Sequence, residues 1–154
     1  MIGTIEAIIG DKTIPSNNTT PESYTIQKYF AQMVEAGCDC VVMEVSSQGL
    51  MLHRTAGIMF DIGIFTNLGE DHIGPNEHKD FEDYKRCKGL LFKQCKVGIG
   101  NVDDKWFEDV FKGATAKLRH LEFGRSRSSC NRCEAHLKTG ISWSLVPCDR
   151  TDGL

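Results

Sequence analysis

Apolar and polar residues along this chain trade between a strand-like and a helix-like rhythm several times before residue 124. Met1 to Ile9 reads as a strand, and Gly10-Asp11-Lys12 supplies a hairpin-like turn. Asn17-Asn18-Thr19 is loop, after which Thr20 is suited to cap a helix, Pro21 to open it and Glu22 to complement its dipole. Ile26, Phe30, Met33 and Val34 recur at i, i+4, i+7 and i+8, a helical apolar stripe that Gly37 ends. A strand at 41–45, a polar turn with a short helix at 46–52, and a strand at 61–66 come next. The spacing then predicts a helix over 79–94, a strand over 97–101, a short helix running toward 112 and a last strand near 118–123. Strands alternating with helices predict an α/β fold, a doubly wound and mostly parallel sheet.

The rhythm stops at Arg125. Arg125-Ser126-Arg127-Ser128-Ser129 is polar, and the residues after it keep neither a period of 2 nor of 3.6. Residues 1–124 therefore read as one partial domain. Residues 125–154 read as a tail that is disordered or out of frame, with Trp143, Leu145 and Val146 suited to one more short strand.

Composition narrows the function classes. A formal charge of −3 supplies no basic surplus for displacing counterions, so nucleic-acid binding is not expected. No apolar run approaches the roughly 20 residues that span a bilayer, and no signal-peptide pattern opens the chain, so a cytoplasmic protein without membrane insertion is expected. Seven cysteines are an odd number, which a complete set of internal disulfides cannot use. Cys38, Cys40, Cys87 and Cys95 lie near the periodic segments and read as reduced core thiols.

Candidate chemistry gathers at the strand ends, where parallel sheets bind ligands. Glu44 closes the apolar run Val41-Val42-Met43, which suits either a Mg²⁺ ligand or a cap for the following turn. Asp71-His72, with Glu70 and His78 nearby, is metal-competent but matches no zinc spacing, and surface acids with a loop histidine explain it equally. Lys88 falls on the apolar face of the 79–94 helix defined by Phe81, Tyr84, Leu91 and Phe92. That placement suits a lysine snorkelling to the edge, or one aimed at a crevice, where carbamylation by CO₂ would turn it into an anion with two oxygen ligands. Thr19-Thr20-Pro21 suits an anion site or a simple cap, and Arg54 an anion clamp or an exposed cation. No G-x-x-x-x-G-K-[ST] phosphate loop occurs, and Gly98-x-Gly100 is too short to replace it.

Taken together, Asn18-Thr19-Thr20-Pro21, Met43 to Leu50, His53-Arg54, Phe65 to Leu68, Asp71-His72, Lys88 to Phe92 and Asn101-x-Asp103-Asp104 resemble the Mur ligases. They look most like the central ATPase domain of the MurE type, which joins a diamino acid to UDP-N-acetylmuramoyl-L-alanyl-D-glutamate in peptidoglycan synthesis. The resemblance implies a P-loop-like fold and a monomeric parent enzyme whose partners are ATP, Mg²⁺, the UDP-muramoyl dipeptide and a diamino acid. It implies substrate contacts at Asn18, Thr19, Thr20, Ser46 and Arg54. It implies Glu44 and His72 as Mg²⁺ ligands, with Lys88 as the carbamylated lysine supporting a second Mg²⁺. Asn101 and Asp103 would lie near the nucleotide.

Leu52 stands where some relatives carry a substrate-contacting Gln, and His78 receives no role. The family's phosphate loop, which would precede Met1-Ile2-Gly3-Thr4, and its amino-acid-binding C-terminal domain are both missing from these residues. The chain is therefore expected to be an inactive internal piece of a ligase. The alternatives are a non-catalytic muramoyl-dipeptide binder, a small metal-dependent hydrolase using Glu44, Asp71, His72 and His78, and a zinc knuckle at Cys130, Cys133, His136 and Cys148.

Overall fold

The structure is a computed structural model that describes residues 1–69, 73–75, 77–115 and the backbone of 121–123 and 142–147. It opens with a hairpin, β1 (Glu6–Ile9) against β2 (Lys12–Pro15), paired from Glu6↔Pro15 to Ile9↔Lys12. Gly10 takes φ +56 in its turn, a left-handed conformation that glycine adopts without a Cβ penalty. The expected strand from Met1 is shorter than the sequence suggests. The amide of Gly3 bonds the Glu6 carbonyl, so the chain doubles back and Ile2 pairs with both Ala7 and Met43.

Helix α1 (Ser23–Glu35) follows, then β3 (Cys40–Val45), α2 (Ser47–Met51), β4 (Phe60–Phe65) and α3 (Phe81–Gly89). A tight 3₁₀ turn at Leu90–Lys93 leads to β5 (Cys95–Asn101), α4 (Phe107–Phe111), β6 (Leu121–Phe123) and β7 (Ser142–Pro147). The predicted helix at 79–94 is thus two segments, the first capped by the Asp80 side chain on the Asp83 amide. Thr20 does not cap α1. That helix starts at Ser23 after an extended Glu22, because the Thr20 hydroxyl is held by other backbone groups described below.

β4, β5 and β6 are mutually parallel neighbours, as crossover connections through α3 and α4 require. The sheet order is β3-β7-β4-β5-β6, and β7 runs antiparallel to both its neighbours. β3 is therefore parallel to β4 but one strand away from it, with the strand expected around Trp143 to Val146 in the gap. The other residues of 125–154 lie outside the described ones.

The core forms where the apolar periods converge. Ile26 and Met33 of α1, Val41, Met43 and Val45 of β3, Phe60 and Phe65 of β4, and Tyr84, Leu91 and Phe92 are all buried. Phe92 stacks on Phe111 with ring centroids 4.0 Å apart. At roughly 1.5–3 kcal/mol per buried large side chain, this cluster dominates the favourable side of folding. Two expectations need correction. Val34 is exposed, because the buried α1 face is narrower than the stripe, and Cys40 at the start of β3 is exposed rather than core. Burial pushes the Cys95 thiol up to about 11, which keeps it neutral and inert. Among the described residues no helix is long and apolar enough to cross a membrane.

The position of β7 makes a sharp prediction. Leu145 pairs with Val42 on one side and Ile62 on the other. Leu145→Pro removes a donor from the middle of the sheet and should destabilise the fold by about 3 kcal/mol or more, measured by denaturant melts. An unchanged melt would place residues 142–147 outside the sheet.

Candidate functional site

The site is organised by the junction between β3 and α2. Thr20, fully buried, donates its hydroxyl to the Glu44 carbonyl at 3.2 Å and accepts from the Ser46 amide at 2.8 Å. Its own carbonyl accepts from Arg54 Nη1 at 3.0 Å. The loop after β2 is thereby pinned across the end of the sheet. Ser46 flanks α2 and its Oγ accepts from the Gly49 amide at 3.0 Å, a standard N-cap. Gly49 is required by proximity: a Cβ there would lie 2.7 Å from the Thr20 side chain.

The far end of α2 aims Arg54. The His53 amide bonds the Leu50 carbonyl and the Arg54 amide bonds the Gly49 carbonyl, with His53 at φ +56. This is the paired-bond helix stop in which the left-handed residue usually is glycine. Arg54 reaches the head of α1, where its Nη2 meets Glu22 at 2.7 Å. Its Nε is buried with no hydrogen-bond partner among the described residues, a donor at the edge of a cleft.

That cleft has a volume of about 320 Å³. Its walls are Thr4, the loop Asn17 to Thr20, the β3–α2 junction Val45 to Gln48, Arg54, Glu77 with His78, and Lys88 of α3. Asn18, Thr19, Thr20, Ser46, Arg54 and Lys88, all singled out from the sequence, thus line one cavity. Lys88 is 4% exposed. It does not snorkel to the helix edge; its Nζ lies 5.8 Å from the centre of the Tyr84 ring.

Glu44 sits beside the cleft, 8% exposed, with Oε2 accepting from both the amide and the hydroxyl of Thr4. Oε1 has no hydrogen-bond partner among the described residues, so one hard oxygen is left for a cation, which suits Mg²⁺. Glu44 therefore does not cap the following turn, a role taken by Ser46. Asn101 lies elsewhere, at the end of β5. Its Nδ2 donates to the Thr66 carbonyl at 2.9 Å and its Oδ1 accepts from the Asp103 amide at 3.1 Å, lacing the β4 and β5 ends together. Asp104 completes the lacing by accepting from the Leu68 amide at 3.0 Å. Glu70, Asp71 and His72, and the zinc-knuckle residues Cys130, Cys133, His136 and Cys148, lie outside the described residues.

Thr4, Asn17, Ser47 and Gln48 also line the cleft without being singled out in the sequence, as does His78, which the resemblance leaves without a role. His78 is buried, with Nε2 2.8 Å from Ser47 Oγ and Nδ1 3.3 Å from Asp83 Oδ2. The adjacent Ser46-Ser47 pair was the available signal, since α2 sends the two hydroxyls to different partners.

Comparison with known proteins yields consistent likenesses. The Mur ligase middle domain family matches residues 1–143. A UDP-N-acetylmuramoyl-L-alanyl-D-glutamate–2,6-diaminopimelate ligase of Clostridium acetobutylicum is 54% identical over 114 residues, 74% of this chain and 23% of that protein. The enzyme of the same name, without the numeral, from Bacillus cereus is 43% identical over 127 residues, covering 77% of this chain and 26% of its own length. A solved structure bearing that ligase name superposes with a TM-score of 0.60 at 25% identity, over 78% of this chain and 26% of the other. The chain thus spans about a quarter of the length of the curated relatives it matches.

Packing at the junction is directly testable. Gly49→Ala forces its Cβ into Thr20 and should cost about 1–3 kcal/mol in denaturant melts. Unchanged stability would mean that the loop carrying Thr20 is not held against α2.

Proposed function

The chain belongs to the Mur ligase middle-domain family, and from that premise we propose that it is the muramoyl-dipeptide-binding part of an ATP-dependent amide-forming ligase. The parent reaction joins 2,6-diaminopimelate, the amine in the relatives' names, to UDP-N-acetylmuramoyl-L-alanyl-D-glutamate. The observation that carries this reading is the gathering of Asn18, Thr19, Thr20, Ser46, Arg54 and Lys88 around one cleft although they span 71 positions of sequence, from 18 to 88. Arg54 puts a cationic side chain there for an anionic ligand, and the hydroxyl and amide groups suit its sugar and peptide.

The residues fit Mg²⁺ better than they fit ATP. The buried Glu44 carboxylate keeps an oxygen available, and a carbamate on Lys88 would add two more. Bound there, Mg²⁺ would neutralise charge between phosphate and carboxylate reactants. For the triphosphate, the 154 residues hold no phosphate-loop motif. The chain's own contribution is to bind and orient the acceptor. The Thr20 clamp fixes the cleft wall, Arg54 meets the ligand's anionic group, and Asn101 keeps the β4 and β5 ends in register. Cytoplasmic location follows from the proposed nucleotide substrates.

Calorimetry of the purified chain with UDP-N-acetylmuramoyl-L-alanyl-D-glutamate, without ATP, tests the reading. Saturable binding is expected, weakened at least about tenfold in Arg54→Ala, a loss of roughly 1.4 kcal/mol. Absence of binding by a folded chain would overturn the assignment. ATP-dependent amide formation by the chain alone would overturn its restriction to binding.

A further inference from the structure

His78 is the buried titratable group that the ligase reading leaves without work. Its ring lies against Tyr84, centroids 5.1 Å apart, and links two elements: Ser47 at the start of α2, and Asp83 in the first turn of α3. Cys87 joins the same cluster, and the donor atoms of His78, Asp83 and Cys87 lie within 4.8 Å of one another. A metal does not suit them. The Arg86 guanidinium sits 2.7 Å from Asp83 Oδ1 and 3.3 Å from Cys87 Sγ, and burial pushes the Cys87 thiol up, away from the thiolate a metal needs. The cluster is a hydrogen-bonded relay.

Proton placement in that relay is determined by its ends. Arg86 holds the Asp83 carboxyl below the usual carboxylate range, so Asp83 stays ionised and can only accept. In the neutral ring the Nδ1 atom facing it must then carry the hydrogen, which leaves Nε2 as an acceptor. In that tautomer Ser47 donates its hydroxyl hydrogen to His78. What Ser47 Oγ offers the cleft is then lone pairs only, in a cavity whose Arg54 side chain is a donor.

Resting on the ligase reading above, we propose that His78 is a positioning residue: through its Nδ1–H tautomer it makes Ser47 an obligate acceptor in the cleft, selecting a ligand N–H or O–H at that point. In the UDP-muramoyl dipeptide the candidates are the acetamido and peptide amide groups. Arg54 sorts anions, whereas Ser47 reads a donor, so the cleft discriminates by polarity as well as by charge.

Two measurements test this independently. Long-range ¹H–¹⁵N spectra of the imidazole in the ligand-free chain should show His78 protonated at Nδ1 and not at Nε2; protonation at Nε2, alone or together with Nδ1, would overturn the proposal whether or not the ligand binds. Calorimetry with UDP-N-acetylmuramoyl-L-alanyl-D-glutamate then compares His78→Asn, whose amide nitrogen replaces Nδ1 alone, with His78→Gln, whose amide oxygen replaces Nε2. His78→Asn should weaken binding about tenfold, as should Ser47→Ala, and combining the two should weaken it no further. His78→Gln should remain within about threefold of the parent chain. Equal losses in both His78 variants, tracking their melting temperatures, would reduce His78 to packing and overturn the proposal. So would modification of Ser47 by a fluorophosphonate, which would make it a nucleophile. Failure of the parent chain to bind the ligand would sink the ligase reading, while the tautomer measurement still decides the relay.

Discussion

Everything at this site depends on one buried hydroxyl. Thr20 Oγ satisfies the Glu44 carbonyl and the Ser46 amide at the point where β3 gives way to α2, backbone groups that no ladder or helix bond would otherwise serve there. An unmet buried backbone group costs about 1–3 kcal/mol, so the loop carrying Thr20 is anchored in one place. The other features follow: Gly49 leaves room for the threonine, Arg54 reaches its carbonyl, and Asn17, Asn18 and Thr19 are delivered to the cleft. A short helix of five residues, too short to persist alone, is held at one end by Ser46 and at the other by the left-handed His53.

The sheet supplies the frame. Parallel strands bring their C-terminal ends to one edge, and the residues with chemistry stand there: Glu44 near the end of β3, Thr66 just past β4, Asn101 closing β5. β3 and β4 are not neighbours, and β7 enters the space between them in the opposite sense. Strand-end residues from β3 and β4 are consequently separated by one strand width, roughly 4.8 Å more than in an adjacent pair. The cleft forms on the β3 side of that division, while Asn101 and Asp104 consolidate the other.

Local patterning made much of this legible. The i, i+4, i+7 spacing located α1, and strands punctuated by short helices marked an α/β sheet. The grouping of Asn18, Thr19, Thr20, Ser46, Arg54 and Lys88 came through motif order rather than periodicity. What stayed hidden was set by contacts distant in sequence. Thr20 looks like a helix cap until Glu44 and Ser46 arrive from 24 and 26 residues away. Lys88 looks like a snorkelling lysine until its helix face is seen to meet a cleft. His78 sits in a polar stretch with no periodicity, and only the fold shows that Ser47 and Asp83 flank its two nitrogens. The antiparallel sense of β7 is likewise invisible, because strand direction leaves no mark on composition.

Occupation of the Thr20-pinned cleft by the UDP-muramoyl dipeptide is open to a direct test. Amide ¹H–¹⁵N spectra of the labelled chain, titrated with that compound in the absence of ATP, locate the ligand directly. Saturable shifts are expected, concentrated at Thr4, Asn17 to Thr20, Ser46 to Gln48 and the amides around Arg54, His78 and Lys88. A well-dispersed spectrum that does not change, or changes only away from those residues, would contradict it.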